Sequence, residues 1–279
     1  PGPAELIWLT RPGMYDIPET RYHQDPVPGG SLSSTVARHL ISMTPAEAKH
    51  QMDNPPAHKD AWDLGSVFHG IVLGRGARCQ VFPGAWNTNK IKDEIKAARA
   101  AGLIPLKPDG LEKAKAMAAA VARHPIAGPL FRAKHGMAEQ TIVSTHERTG
   151  IPLRSMIDWV DLDPKRKPLI VDLKSTKNVS PRGLWLAIKE YLYYMQDPFY
   201  RNQVASLGHD PTDVGFAFVC VDSEPPHLVN VAKLSDEYLA KGWEHNEQAI
   251  DLWVRCTETD TWPEYPAEVV EIEMPGWMA

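Results

Sequence analysis

Pro168-Leu-Ile-Val-Asp-Leu-Lys-Ser-Thr176 is the stretch on which the fold turns. Leu169, Ile170 and Val171 form a short apolar run between breakers, the pattern of a buried strand. Asp172 and Lys174 then bring charge to the end of that strand. Side chains alternate along a strand, so these two share one face while Val171 and Leu173 share the other. A carboxylate and an ammonium projecting together from a buried sheet have to be compensated, by pairing or by a metal. Taken alone, the tripeptide reads equally well as a salt bridge at a strand end.

Outward from it, residues 151–162 read as a second strand that begins after Gly150 and carries Asp158 in its middle. The polar turn Asp163-Pro-Lys-Arg-Lys-Pro168 joins the two, so Asp158 and Asp172 fall on neighbouring antiparallel strands. The spacing is Asp158, thirteen residues, then Asp172-Leu173-Lys174. Two carboxylates close together hold a hard divalent cation such as Mg²⁺ through oxygen ligands. A lysine beside them can orient or deprotonate the attacking water, and its burial near a cation is expected to lower its pKa toward that task.

The 279 residues suffice for one large domain or two small ones, and 43% hydrophobic with 23% charged residues is ordinary for a soluble globular chain. A net charge of −5 gives no global attraction to nucleic acid, so any such affinity must be local or gathered by oligomerisation. Three scattered cysteines, Cys79, Cys220 and Cys256, suggest neither a disulfide framework nor a zinc site and are expected reduced and buried. No apolar run reaches membrane-spanning length. The opening Pro1-Gly-Pro-Ala-Glu-Leu lacks the charged-then-apolar pattern of a leader, so a cytoplasmic location is expected. GxSxG, GxxxxGK[S/T], GxGxxG and HExxH are all absent.

Residues 1–30 are rich in proline and glycine and read as an extended lead-in. Ser33 or Ser34 caps a helix over 35–42, and Thr44-Pro45-Ala46-Glu47 starts another. Leu64, Val67, Phe68, Ile71 and Val72 fall at helical spacing and bury a helix that carries His69. On residue type alone, His69 is a core histidine with one hydrogen bond. A polar helix over 90–101, with Lys90, Lys92 and Lys96 on a solvated face, precedes a packing helix over 111–123. A strand over 139–145 begins at Glu139, which is either a strand-edge charge or an auxiliary metal ligand. A helix is predicted over 184–207, and Gln196 and Tyr200 share one of its faces. Pro198 inside it predicts a bend or a restart there. Strands over 214–221 and 228–232, a long helix from Ser235 to about Arg255 and a surface tail over 258–279 complete one α/β domain, with helices on both faces of a mixed sheet.

The helix with His69, then Asp158, then Asp172-Leu173-Lys174, then Gln196…Tyr200 resembles, element by element and in order, the PD-(D/E)XK nuclease superfamily in its D…DxK form. The likeness is strongest to the RecE/exonuclease VIII-like branch with RecB-type motifs. The likeness covers roughly residues 20–277, is best between 60 and 200, and implies a restriction-endonuclease-like fold, with the whole of 1–279 read as one domain. It also implies Mg²⁺ or Mn²⁺ held by Asp158, Asp172, the Leu173 carbonyl and His69, with Glu139 as an auxiliary ligand and Lys174 activating water. Gln196, Tyr200, Ser34 and Arg38 would contact the DNA backbone. The implied activity is 5′→3′ digestion of linear double-stranded DNA, by a ring-shaped homo-oligomer partnered with a single-strand annealing protein. The alternatives are an endonuclease, a single-strand-specific nuclease on the same core, or a non-catalytic DNA-end-binding protein.

Overall fold

The computed structural model describes residues 8–55, 60–76, 78–274 and 276. In chain order the elements are β1 (Gly13–Tyr15), α1 (Glu19–His23), β2 (Leu32–Ser33), α2 (Ser34–Ser42), α3 (Pro45–Asp53), α4 (Asp60–Leu73), β3 (Cys79–Val81), α5 (Asn89–Ala100), β4 (Ile104–Leu106), α6 (Pro108–Arg123) and α7 (Ala127–Leu130). There follow β5 (Gly136–Thr145), β6 (Pro152–Asp161), β7 (Leu169–Thr176), α8 (Pro181–Glu190), α9 (Tyr193–Ala205), β8 (Gly215–Asp222), β9 (Val229–Ala232) and α10 (Asp236–Thr259).

The main sheet runs β1-β5-β6-β7-β8-β9, with β2 pairing beside β6. From β1 to β7 neighbours on this path are antiparallel; β7 and β8 are parallel, joined through α8 and α9, and β9 returns antiparallel. The predicted mixed sheet is therefore present. β3 and β4 form a separate parallel pair that the sequence, with Pro105 in the middle of β4, did not suggest.

The alternation read in β7 sorts the core into two layers. Ile170 joins Phe216, Phe218 and the inner faces of α2, α9 and α10, whereas Val171 and Leu173 join Val219, Val221 and the apolar faces of α4 and α6. Asp172 and Lys174, one residue out of phase with Val171 and Leu173, are thus turned toward the α9 layer. Their register partners on β8 are Phe218 and Cys220.

Local signals explain the helix starts. Ser33 caps α2 by accepting from the Val36 amide, and Thr44 and Glu47 close a capping box on α3. The lead-in is more than extended chain, because β1 adds to β5 and α1 follows it. Buried Arg154 on β6 fastens it down, donating to Asp25 at 2.5 Å, to the Ser31 carbonyl at 2.7 Å and to the Ser31 hydroxyl at 2.9 Å. Residues 1–7, part of the expected lead-in, and 275 and 277–279 of the expected tail lie outside the described residues. The tail is pinned where Trp262 packs on Trp253 and the Pro263 carbonyl accepts from the Ala46 amide. Beyond it Val269, Ile272 and Met274 are exposed.

Candidate active site

The pairing of β6 with β7 runs Asp161↔Leu169, Val160↔Ile170, Trp159↔Val171. The next pair in that register is Asp158 and Asp172, where the ladder stops. There the Asp158 carboxylate substitutes for the ladder, its Oδ2 accepting from the Leu173 amide at 2.8 Å. On the other side, Ala138↔Trp159 and Gln140↔Ile157 bracket Glu139 across from Asp158. Glu139 has φ +49°, a left-handed backbone rare for a residue with a side chain. Both strands change pleat phase at this level. Met137 and Ile142, five residues apart, pack in one cluster, as do Ile157 and Val160, three apart. Odd separations on one face cannot occur in a regular strand. The irregularity converges Glu139, Asp158 and Asp172 on one level of the sheet.

Around these carboxylates stand the cations and dipoles. Lys174 Nζ is 2.5 Å from Asp172 Oδ2, and Gln196 Nε2 donates to Asp172 Oδ1 at 2.5 Å. Asp172 is thus held at one oxygen by the Gln196 amide and at the other by the Lys174 ammonium. His69 on α4 places Nδ1 3.9 Å from Asp158 Oδ2, beyond hydrogen-bond reach. Arg75 ion-pairs with Glu139 at 3.3 Å and also with Asp16.

Burial pushes the Asp172 carboxyl up from its ordinary value; Lys174 opposes this and the like charge of Asp158 adds to it. Glu139 is also pushed up, by burial first and then by the charge of Glu19, with Asp158 adding. Burial alone would pull Lys174 down, but Asp172, Tyr193 and Asp158 outweigh it and hold the ammonium above its usual range. The acids around Lys174 set this direction. Glu19, which the sequence gave no reason to single out, bears electrostatically on both Glu139 and His69 from α1.

The four expected DNA contacts divide. Gln196 is buried against Asp172, so its amide is committed to a carboxylate instead of facing outward. Tyr200 is buried beside Phe199 and Phe216, its hydroxyl raised well above the usual value by burial and, in lesser part, by Tyr22, Asp172 and Asp158. Ser34 is buried at the start of α2, its hydroxyl unpartnered. The helices that carry these three residues turn them inward, Gln196 onto Asp172 and the other two into the core. Arg38 is part-exposed but engaged, donating to the Tyr191 carbonyl at 3.0 Å.

Among the described residues no three His, Cys, Asp or Glu side chains stand close enough to share one ion. The donor chemistry nevertheless suits a hard cation: two carboxylates on neighbouring strands, with a third, Glu139, across from Asp158. Of the cysteines, Cys220 and Cys256 are buried and Cys79 is part-exposed, and burial pushes the Cys220 thiol up to about 12.

A family model described as a PDDEXK-like domain of unknown function (DUF3799) matches residues 33–273. No curated protein matches the chain. Among solved structures, a "Putative exonuclease" from Eubacterium rectale superposes with a TM-score of 0.58 at 10% identity, covering 88% of this chain and 90% of that one. SSO0001 follows at 0.30 and 12% identity, covering 75% and 97%. At such identity the first likeness is one of fold. The family match spans most of the chain, so the protein belongs to the PDDEXK-like DUF3799 family, and its architecture is that of the PD-(D/E)XK nuclease superfamily.

Proposed function

We propose that the protein is a metal-dependent deoxyribonuclease that degrades linear double-stranded DNA from its ends. The observation that carries this reading is the register that sets Asp158 opposite Asp172, with Lys174 against the latter. Asp158, Asp172, His69, the Leu173 carbonyl and Glu139 are the groups that would hold Mg²⁺ or Mn²⁺. When bound, the ion would supply Lewis-acid stabilisation of charge on the scissile phosphate and the leaving 3′-oxygen. Gln196 and Lys174 each hold one oxygen of Asp172 and so fix the orientation of its carboxylate. Lys174, an ammonium in this environment, positions the attacking water and counters the charge of the phosphate.

Polarity from 5′ to 3′, a 3′ strand left for an annealing partner, a ring-shaped homo-oligomer and action as one nuclease domain over 1–279 in the cytoplasm belong to the same proposal. They are supported by the likeness of the motifs to the RecE branch. Incubation of end-labelled linear duplex and of closed circular DNA with Mg²⁺ tests the core of it. The wild type is expected to consume the linear DNA and spare the circle, and Asp172→Ala and Lys174→Ala are expected to lose at least about a hundredfold in rate. Equal nucleotide release by all three proteins removes the proposed site, and equal cutting of the circle makes the enzyme an endonuclease.

A further inference from the structure

A cleft of about 880 Å³ begins at Lys174 and runs along the ends of β7 and α8 toward Lys177. Its volume lies in the range that buries small organic ligands. The walls are largely apolar: Leu184, Leu186 and Ile188 come from α8, and Trp62 comes from α4. Trp62, Leu186 and Tyr191 are each more than two-fifths exposed, at 43%, 46% and 53%. A bare phosphate chain has no use for such walls, whereas a flat heteroaromatic ring does.

The turn between α8 and α9 gives the cleft its most specific feature. Tyr191 and Tyr193 are two residues apart, and on a continuous helix they would point to different sides. Leu192 between them is left-handed, with φ +52°. A branched residue keeps such a backbone only where its surroundings enforce it, and such places cluster at functional sites. The result is that the two rings come together, with centroids 5.4 Å apart and planes 33° from parallel. Tyr193 is the inner ring, with Lys174 Nζ 4.8 Å and Arg38 Cζ 5.8 Å from its centroid. Tyr191 is the outer ring at the cleft wall, and Arg38 holds its carbonyl. A tilted pair of tyrosine rings therefore leads from solvent to the amine beside the acidic pair, and Lys177 lines the same cleft, as do Glu190 and the Lys113–Glu224 pair.

We infer that this cleft is a subsite for unpaired nucleobases, one base stacking on Tyr191 while its phosphate lies toward Lys174. The inference deepens the nuclease reading and rests on it for the identity of the ligand as a nucleic-acid strand. Aromatic platforms beside lysines take single strands because every base presents a ring face once it leaves the duplex. A base still paired and stacked within a helix covers its faces with its neighbours, so the strand would be open where it meets the site.

The test is binding by the intact chain in EDTA, with no turnover, measured by fluorescence anisotropy. The probes are a labelled oligothymidylate about ten nucleotides long and an abasic phosphodiester of the same length. The base-bearing strand is expected to bind roughly tenfold tighter. Tyr191→Ala should abolish that ratio and Tyr191→Phe should keep it, with circular dichroism confirming that both variants are folded. Equal binding of the two probes by the wild type, or an unchanged ratio in Tyr191→Ala, overturns the subsite. Base-dependent binding by a protein that cuts no DNA would remove the nuclease reading and leave the subsite standing. Cleavage without base dependence would do the reverse.

Discussion

Glu139 shows how single residues in the site trade stability for charge. Its carboxyl is held above 4.5 by burial and by Glu19, so the folded chain disfavours its ionised form. A carboxyl raised in this way contributes stability that is complete below its ordinary pKa and is lost as pH rises through the folded value. Glu139→Gln is therefore expected to melt higher than the wild type at pH 7, by less than about 1 kcal/mol given its partial exposure. The difference should vanish below pH 4.5, and thermal melts in EDTA at both pH values check it. A less stable variant at neutral pH would mean that the Arg75 pair dominates. Asp158, Asp172 and Lys174 were legible as neighbours because strand alternation and a short turn fix register. The left-handed backbone of Glu139 and the approach of Glu19 were not, since tertiary contacts impose both.

Among the elements, the helix predicted over 184–207 is two, α8 and α9, parted at Tyr191 and Leu192. No glycine, asparagine or proline marks that break, so nothing local announces it. Pro198 lies inside α9, so the helix does not restart there. A proline there cannot bond the Tyr194 carbonyl four residues back. That freed carbonyl faces α10, where a Cβ built on Gly242 would lie 2.0 Å from the Tyr194 oxygen and 2.8 Å from Pro198 Cγ. One turn further, Asn246 donates to the Met195 carbonyl at 2.9 Å. The α9–α10 contact thus rests on a bare backbone at position 242, and backbone cannot step aside as a flexible side chain can. Gly242→Ala is expected to cost about 3 kcal/mol or more in urea denaturation, and wild-type stability in that variant would contradict the close approach. Because α9 carries Gln196 onto Asp172, the loss should extend to activity.

Across the whole molecule, the segment before β2 is part of the scaffold, and Arg154 is its fastening. Removing that guanidinium leaves Asp25 and the Ser31 groups without their buried cation. Arg154→Met is expected to destabilise the protein by about 3 kcal/mol, read by chemical denaturation. Proteolysis should then open the chain first before Leu32, and an unchanged cleavage pattern would show that β1 alone holds this segment. The fold class was legible from three hydrophobic strands in succession and the helices around them. The role of residues 8–31 was not, because a three-residue strand among prolines and glycines has no pattern of its own. The order in which these parts can meet follows from chain distance. Asp158 and Asp172 are brought opposite each other by a hairpin closing a short turn, which is cheap in loop entropy. Gln196 must wait for two helices, and Arg154 must find Asp25 across 129 residues. A ribosome-bound chain would therefore set both acids and Lys174 together first, and Gln196 would reach Asp172 only later.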